Sequence, residues 1–176
     1  MSHRAIFLDR DGVINRVVFR DGKPTAPWRL ADFEIEAGVE EALERLRAAG
    51  FKLFVVTNQP DVARGLLPPQ ALRMMMEKLV ATLAVDGVRV CPHDDPDHCE
   101  CRKPRPGMLV DLAGEHDLAL TECYIIGDSW KDALAGKAAG CRSILLDRPY
   151  NQGDPADYRA ADLGQAVAFI LASAEP

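Results

Sequence analysis

Apolar residues in this chain gather in short continuous runs, and between the runs they recur at helical spacing. The first run, Ala5-Ile6-Phe7-Leu8, ends on Asp9-Arg10-Asp11-Gly12. An unbroken run of that kind predicts a short buried strand, and Gly12 predicts the turn that stops it. Val39, Ala42, Leu43, Leu46 and Ala49 follow at helical spacing and stop at Gly50, a good C-terminal breaker. Phe51-Lys52-Leu53-Phe54-Val55-Val56 predicts a second strand, closing on Thr57-Asn58-Gln59. Pro68-Pro69 opens a helix expected to run to about Asp86, with Leu72, Met75, Met76, Leu79, Val80 and Leu83 on one face. Val88-Arg89-Val90 is a short apolar stretch, and Pro106 starts another helix. Two more buried strands are predicted at Cys123-Tyr124-Ile125-Ile126 and Ser143-Ile144-Leu145-Leu146, joined by a helix from Trp130 to Ala139 that ends at Gly140. A last helix spans Leu163 to Ala172. Val17 to Asp32 carries two prolines and a tryptophan, fits neither period, and predicts a loop over a site.

Apolar strands alternating with amphipathic helices predict an α/β fold with a parallel sheet covered on both faces. The 176 residues are enough for one domain, 1–176, with a proper core. Net charge is −6 with no basic stripe, which argues against nucleic-acid binding through phosphate neutralisation. A small anionic substrate stays open, because a site needs only local positive charge. No apolar run has the length of a membrane span, and Met1-Ser2-His3-Arg4 lacks the features of a signal peptide. The expectation is a cytoplasmic protein without membrane or nucleic-acid partners, acting as a monomer.

Ligands in an open parallel sheet bind beyond the carboxyl ends of the strands. Three predicted strands end in oxygen-rich side chains: Asp9 and Asp11, Thr57 and Asn58, and Asp128 with Ser129. Residues i and i+2 of an extended segment point the same way, so Asp9 and Asp11 can converge on a divalent cation and leave an oxygen for chemistry. Taken alone, the pair stands evenly between that and a strand end with solvated acids. Thr57-Asn58 has a turn or cap as its plain alternative, and Gly127-Asp128-Ser129 a helix cap. Three coincidences at one sheet edge weigh towards a site.

Three of the five cysteines lie within eleven residues, in Cys91-Pro92-His93 and Cys99-Glu100-Cys101. In a reducing compartment this points to a metal rather than disulfides. Three thiolates and an imidazole form a closed set for structural Zn²⁺. His98 is a poorer substitute for His93 because it directly adjoins Cys99. Asp94, Asp95 and Asp97 are expected to be solvated loop charges, and Cys123 and Cys141 small core residues. The ion would brace the loop that carries Arg102 and Lys103.

In order, Asp9-Arg10-Asp11-Gly12-Val13-Ile14-Asn15, Thr57-Asn58, Lys103, and Gly127-Asp128 with Asp132 resemble the four motifs of the haloacid dehalogenase superfamily of phosphatases. The resemblance covers most of the chain. It implies a three-layer α/β/α sandwich with a mainly parallel, Rossmann-like sheet. Asp9 would be the nucleophile and Asp11 the acid–base; Mg²⁺ would sit on the Asp9 carboxylate, the Asp11 carbonyl and the Asp128 carboxylate. Thr57, Asn58 and Lys103 would bind phosphoryl oxygens, and Asp132 would support Lys103. The Cys-x-His and Cys-x-Cys-Arg-Lys-Pro segments are similar to the zinc-bearing branch, which includes phosphatases of sugar bisphosphates and of histidinol phosphate and has no large cap domain. Two adjacent cations, Arg102 and Lys103, favour a small sugar with two phosphates. The chain departs from the pattern at Gln59-Pro60-Asp61, where Gln-Ser-Gly is common, and at Ser129, where many members have Lys. A receiver-like phosphoacceptor also uses Asp, Thr and Lys on a parallel sheet, yet needs neither Asp11 nor a metal loop.

Overall fold

The buried apolar runs pair as parallel strands in the computed structural model, which describes residues 3–173. Met1 and Ser2, the start of the segment read as lacking a leader, lie outside the described residues. In chain order the elements are β1 (Ala5–Leu8), a hairpin of β2 (Val18–Arg20) and β3 (Lys23–Thr25), α1 (Val39–Ala48), β4 (Lys52–Asn58), α2 (Pro69–Leu83) and β5 (Gly87–Cys91). There follow α3 (Gly107–His116), β6 (Tyr124–Gly127), α4 (Trp130–Ala139), β7 (Arg142–Leu146), β8 (Tyr158–Ala160) and α5 (Leu163–Ser173). Among the described residues no helix is long and apolar enough to cross a membrane.

The main sheet has the order β5-β4-β1-β6-β7-β8, all parallel. Counting only its own strands, the order is 3-2-1-4-5-6, the doubly wound Rossmann arrangement. The chain winds one way from β1 through β4 to β5 and the other way through β6, so the switch in direction lies beside β1. Leu8 is level with Val55 on β4 and Ile126 on β6. Asp9, Thr57, Asn58 and Asp128 therefore leave the sheet at one edge, flanking that switch point.

Alternation along the strands divides the core into two layers. Ile6, Leu8, Leu53, Val55 and Ile126 face a cluster built from α1, α2 and α5. Ala5, Phe7, Phe54, Val56 and Ile125 face the opposite layer, with Met108, Leu109 and Leu112 of α3. Helix α4 lies against that second face through Gly136, where a Cβ would stand 2.4 Å from the Ile125 side chain. The result is an α/β/α sandwich without a large cap among the described residues.

Three boundaries differ from the sequence reading. Helix α2 ends at Leu83 instead of Asp86, because Ala84 turns left-handed at φ 46° and Asp86 becomes a strand clamp. The Asp86 carboxylate accepts from the Leu53 N–H at 2.7 Å and its own N–H donates to the Leu53 carbonyl at 2.8 Å. The segment 17–32 contains the β2–β3 hairpin, with Asp21 and Gly22 in the left-handed region at its tip. Strand β8 was not predicted; it is three residues long, at the sheet edge, and follows a polar loop.

Candidate active site

The edge residues enclose a cleft of about 290 Å³ lined by Asp9, Asp11, Asn58, Lys103, Asp128 and Asp132, with Pro24, Thr25 and Ala26 of the hairpin opposite. That volume suits a small phosphate ester. Lys103 is the hub. It comes from the loop after the cysteine segment, is 2 % exposed, and donates to Asp9 Oδ1 at 2.9 Å, Asp132 Oδ1 at 2.6 Å and the Val56 carbonyl at 2.7 Å. These acceptors use all three ammonium protons. Burial works to discharge the amine, but Asp132 and Asp9 outweigh it and hold Lys103 charged. Asn58 fixes the same segment by a two-way clamp: its Oδ1 accepts from the Lys103 N–H at 3.0 Å and its Nδ2 donates to the Lys103 carbonyl at 2.9 Å.

Burial pushes Asp9 up to about 7, with Asp132 and Asp11 adding to the rise and Lys103 opposing it. Burial also lifts Asp128 well above the usual carboxylate range, and Asp9 and Asp132 add to it. Asp132 is fully engaged: Oδ1 receives Lys103, and Oδ2 receives the Ser129 N–H at 3.2 Å and hydroxyl at 3.0 Å. Asp9, Asp128 and Asp132 place carboxylate oxygens within 4.8 Å of one another. With Asp132 occupied, the pair open to a cation is Asp9 and Asp128. The four acids Asp9, Asp11, Asp128 and Asp132 face only two buried cations, Arg10 and Lys103, which leaves a formal charge of −2. A hard divalent cation bound through one or two carboxylates matches that donor set and that charge.

Asp11 sits in a cradle that the motif alone did not reveal. Arg10, the spacer between the two acids, is fully buried, and its Nη2 donates to Asp11 at 2.8 and 2.9 Å. Asn15 Nδ2 adds a bond at 2.9 Å and Gln59 Nε2 one at 2.7 Å. Both amides turn their NH₂ towards Asp11 and leave Asn15 Oδ1 and Gln59 Oε1 buried without a partner among the described residues. Orphaned acceptors are costly, so the carboxylate dictates how these amides are set. Gln59 Nε2 also donates to the Thr57 hydroxyl oxygen at 2.9 Å. Thr57 is fully buried, and that contact leaves its O–H proton available to donate.

Tyr150, beyond β7, was not singled out from sequence. Its hydroxyl donates to Asp128 Oδ2 at 2.5 Å. The signal was its place past a strand at the same sheet edge. Gly12 leaves the space these groups need: at φ 81°, a Cβ there would lie 2.1 Å from Asp128 Oδ2 and 2.8 Å from the Tyr150 hydroxyl. The hairpin is anchored by Trp28, whose Nε1 donates to Asp61 Oδ2 at 2.7 Å. Asp61, the departure at the Gln-Pro-Asp segment, thus ties the 17–32 segment to the end of β4.

The four predicted metal ligands of the cysteine segment converge. Cys91 Sγ lies 3.6 Å from Cys99 Sγ and 3.7 Å from His93 Nδ1; Cys101 Sγ lies 3.3 Å from His93 Nδ1 and 3.5 Å from Cys99 Sγ. His98 stands outside this quartet. Cys123 and Cys141 are buried in the core. The loop acids are not simply solvated, contrary to expectation. Asp94 receives Arg64 at 2.6 and 2.7 Å, Asp95 receives Arg102 Nε at 2.7 Å, and Asp97 receives the Asp94 N–H at 2.8 Å. Arg102 and Lys103 consequently point apart, one into the loop and the other into the reaction centre.

Known proteins resemble the chain in sequence and in fold. Residues 100–168 match the HAD-hydrolase-like family model. The chain is 34% identical over 151 residues to D-glycero-beta-D-manno-heptose-1,7-bisphosphate 7-phosphatase of Helicobacter pylori, covering 82% of this chain and 84% of that one. It is 40% identical over 152 residues to D-glycero-alpha-D-manno-heptose-1,7-bisphosphate 7-phosphatase of Mycobacterium tuberculosis, covering 80% and 78%. The crystal structure of D,D-heptose 1,7-bisphosphate phosphatase from B. bronchiseptica, complexed with magnesium and phosphate, superposes with a TM-score of 0.85 at 32% identity, covering 97% of this chain and 99% of that one. The chain belongs to the haloacid dehalogenase-like phosphatases. It is a phosphoric monoester hydrolase, and the parallel sheet is that of its family.

Proposed function

We propose that the protein is a Mg²⁺-dependent phosphatase that removes the C7 phosphate of D-glycero-D-manno-heptose 1,7-bisphosphate, on the way to nucleotide-activated heptose for lipopolysaccharide-type glycans. The observation that carries the substrate reading is the similarity, over about four fifths of the chain, to two enzymes named for that bisphosphate. The strand-end geometry supports the chemistry.

Asp9 attacks phosphorus, the bond from phosphorus to the sugar oxygen breaks, and an aspartyl-phosphate forms. Lys103 keeps Asp9 oriented and supplies positive charge beside the transferring group, and Thr57 and Asn58 complete its surroundings. Asp11, whose resting carboxylate accepts from Arg10, Asn15 and Gln59, takes up a proton when substrate binds and gives it to the leaving sugar oxygen. It then takes a proton from the water that attacks the aspartyl-phosphate, which releases inorganic phosphate and restores Asp9. To do so Asp11 turns one oxygen from its cradle towards the substrate. Mg²⁺, held by the Asp9 and Asp128 carboxylates and the Asp11 carbonyl, would offset the phosphoryl charge. Phosphate release should be measured from both anomers of the heptose bisphosphate, fructose bisphosphate and histidinol phosphate, with and without Mg²⁺. The expected result is Mg²⁺-dependent turnover with the highest kcat/KM on one heptose anomer. Stronger turnover of histidinol phosphate would overturn the assignment.

The Cys91, His93, Cys99 and Cys101 quartet is read as a structural Zn²⁺ site. A tetrahedron with metal–sulfur bonds of about 2.3 Å and a metal–nitrogen bond of about 2.0 Å has sulfur–sulfur edges of about 3.8 Å and sulfur–nitrogen edges of about 3.5 Å. The observed separations of 3.3–3.7 Å are close to this. Four protein ligands leave no open position for substrate. Removal of Zn²⁺ by a chelator, with Mg²⁺ then restored, should lower the melting temperature and raise KM more than it lowers kcat. A fall in kcat alone, at unchanged melting temperature, would contradict a bracing role.

A further inference from the structure

Four cations line the cleft: Arg64, Arg102, Lys103 and Lys131. Three are already ion-paired. Lys103 is shared between Asp9 and Asp132. Arg102 pairs with Asp95 at 2.7 Å and Asp94 at 3.6 Å, and Arg64 with Asp94 at 2.6 Å and Asp61 at 3.1 Å. Lys131 forms no ion pair among the described residues; its recorded partner is the ring of Trp130, 5.7 Å from the ammonium. The sequence argument for a doubly phosphorylated substrate rested on Arg102 and Lys103. In the folded chain both are ion-paired, and the cation without an acidic partner stands on α4.

Lys131 is also held in place. The next residue, Asp132, locks the start of α4 to Lys103 at 2.6 Å, and the preceding Trp130 N–H donates to Asp154 at 2.9 Å. The backbone of Lys131 is therefore tied to the residue that orients Asp9. Its side chain is half-buried and lines the cleft. A phosphoryl group seated against Asp9 leaves the far end of a small sugar in this same cleft. An unpaired ammonium at a fixed origin is the group best able to receive a second anion there.

We infer that Lys131 is a specificity-determining residue that recognises the second, non-transferred phosphate of a sugar bisphosphate. This inference rests on the sugar-bisphosphate reading. The test compares heptose 1,7-bisphosphate with heptose 7-phosphate as substrates for the wild-type protein, Lys131→Met and Lys131→Arg. Losing a charge-assisted contact to phosphate should lower kcat/KM for the bisphosphate at least about tenfold more than for the monophosphate, chiefly through KM. Lys131→Arg should recover most of the difference. Equal losses on both substrates, or none on either, would overturn the role of Lys131 while leaving the substrate reading intact. If the wild-type protein does not prefer the bisphosphate, the substrate reading fails and the role of Lys131 fails with it.

Discussion

Asp9→Asn is expected to eliminate turnover, lowering kcat by about 10⁴-fold or more. The amide has nearly the same shape, and its oxygen can still accept the Lys103 contact now made at 2.9 Å. It has no carboxylate to bond to phosphorus. The fold should survive, because Asp9 is a buried acid that burial already disfavours in its charged form. Removing that charge relieves repulsion with Asp132 and Asp11. The variant should therefore melt at or above the temperature of the wild-type protein while showing no burst and no steady-state release of phosphate. Circular dichroism melts and a phosphate-release assay at saturating Mg²⁺ check both parts. Substantial activity in a folded variant would remove Asp9 from the role of nucleophile.

Lys103→Met should damage both stability and chemistry. The ammonium is the shared counter-charge of Asp9 and Asp132, and Asp132 is 1 % exposed. Methionine fills the space of the stem and leaves two acids facing each other without a cation. Breaking a buried ion pair in this way costs about 3–5 kcal/mol. The loss of positive charge beside the transferring phosphoryl group should lower kcat by about 10²–10³-fold. Adding Asp132→Asn removes one of the stranded charges, so the double variant should regain stability without regaining activity. Urea unfolding and kcat on the same preparations separate the two effects. A double variant no more stable than Lys103→Met would show that the Lys103–Asp132 pair is not what the fold depends on.

The sheet edge was legible in sequence because parallel strands buried on both faces read as unbroken apolar runs, and each run stops where polar side chains begin. Asp9, Thr57 and Asp128 could be aligned that way before any contact was known. The cysteine quartet was legible for a different reason: all four ligands are local. What was hidden depends on contacts between distant segments. Nothing in the local sequence singles out Arg10, yet alternation turns it into the core beneath Asp11, where it is fully buried. Tyr150 meets Asp128 only after β7 returns to the same edge. The segment 17–32 resembles a loop because Pro24 interrupts any strand pattern, yet the backbone pairs around it. Arg102 and Lys103 looked like one positive patch, and the fold sends their charges to different acids.

In the proposed mechanism the phosphoryl group passes through Asp9. Heptose bisphosphate labelled with ³²P at C7 can be mixed with the protein and Mg²⁺, quenched in acid within the first turnover, and treated with borohydride, which converts an acyl phosphate to an alcohol. Acid-stable label on the protein before reduction, its release by borohydride with homoserine then at position 9 in the peptide mass map, and neither signal in Asp9→Asn, is the predicted result. Turnover of the bisphosphate with no protein-bound label, or with the reduced residue elsewhere in the chain, would contradict it.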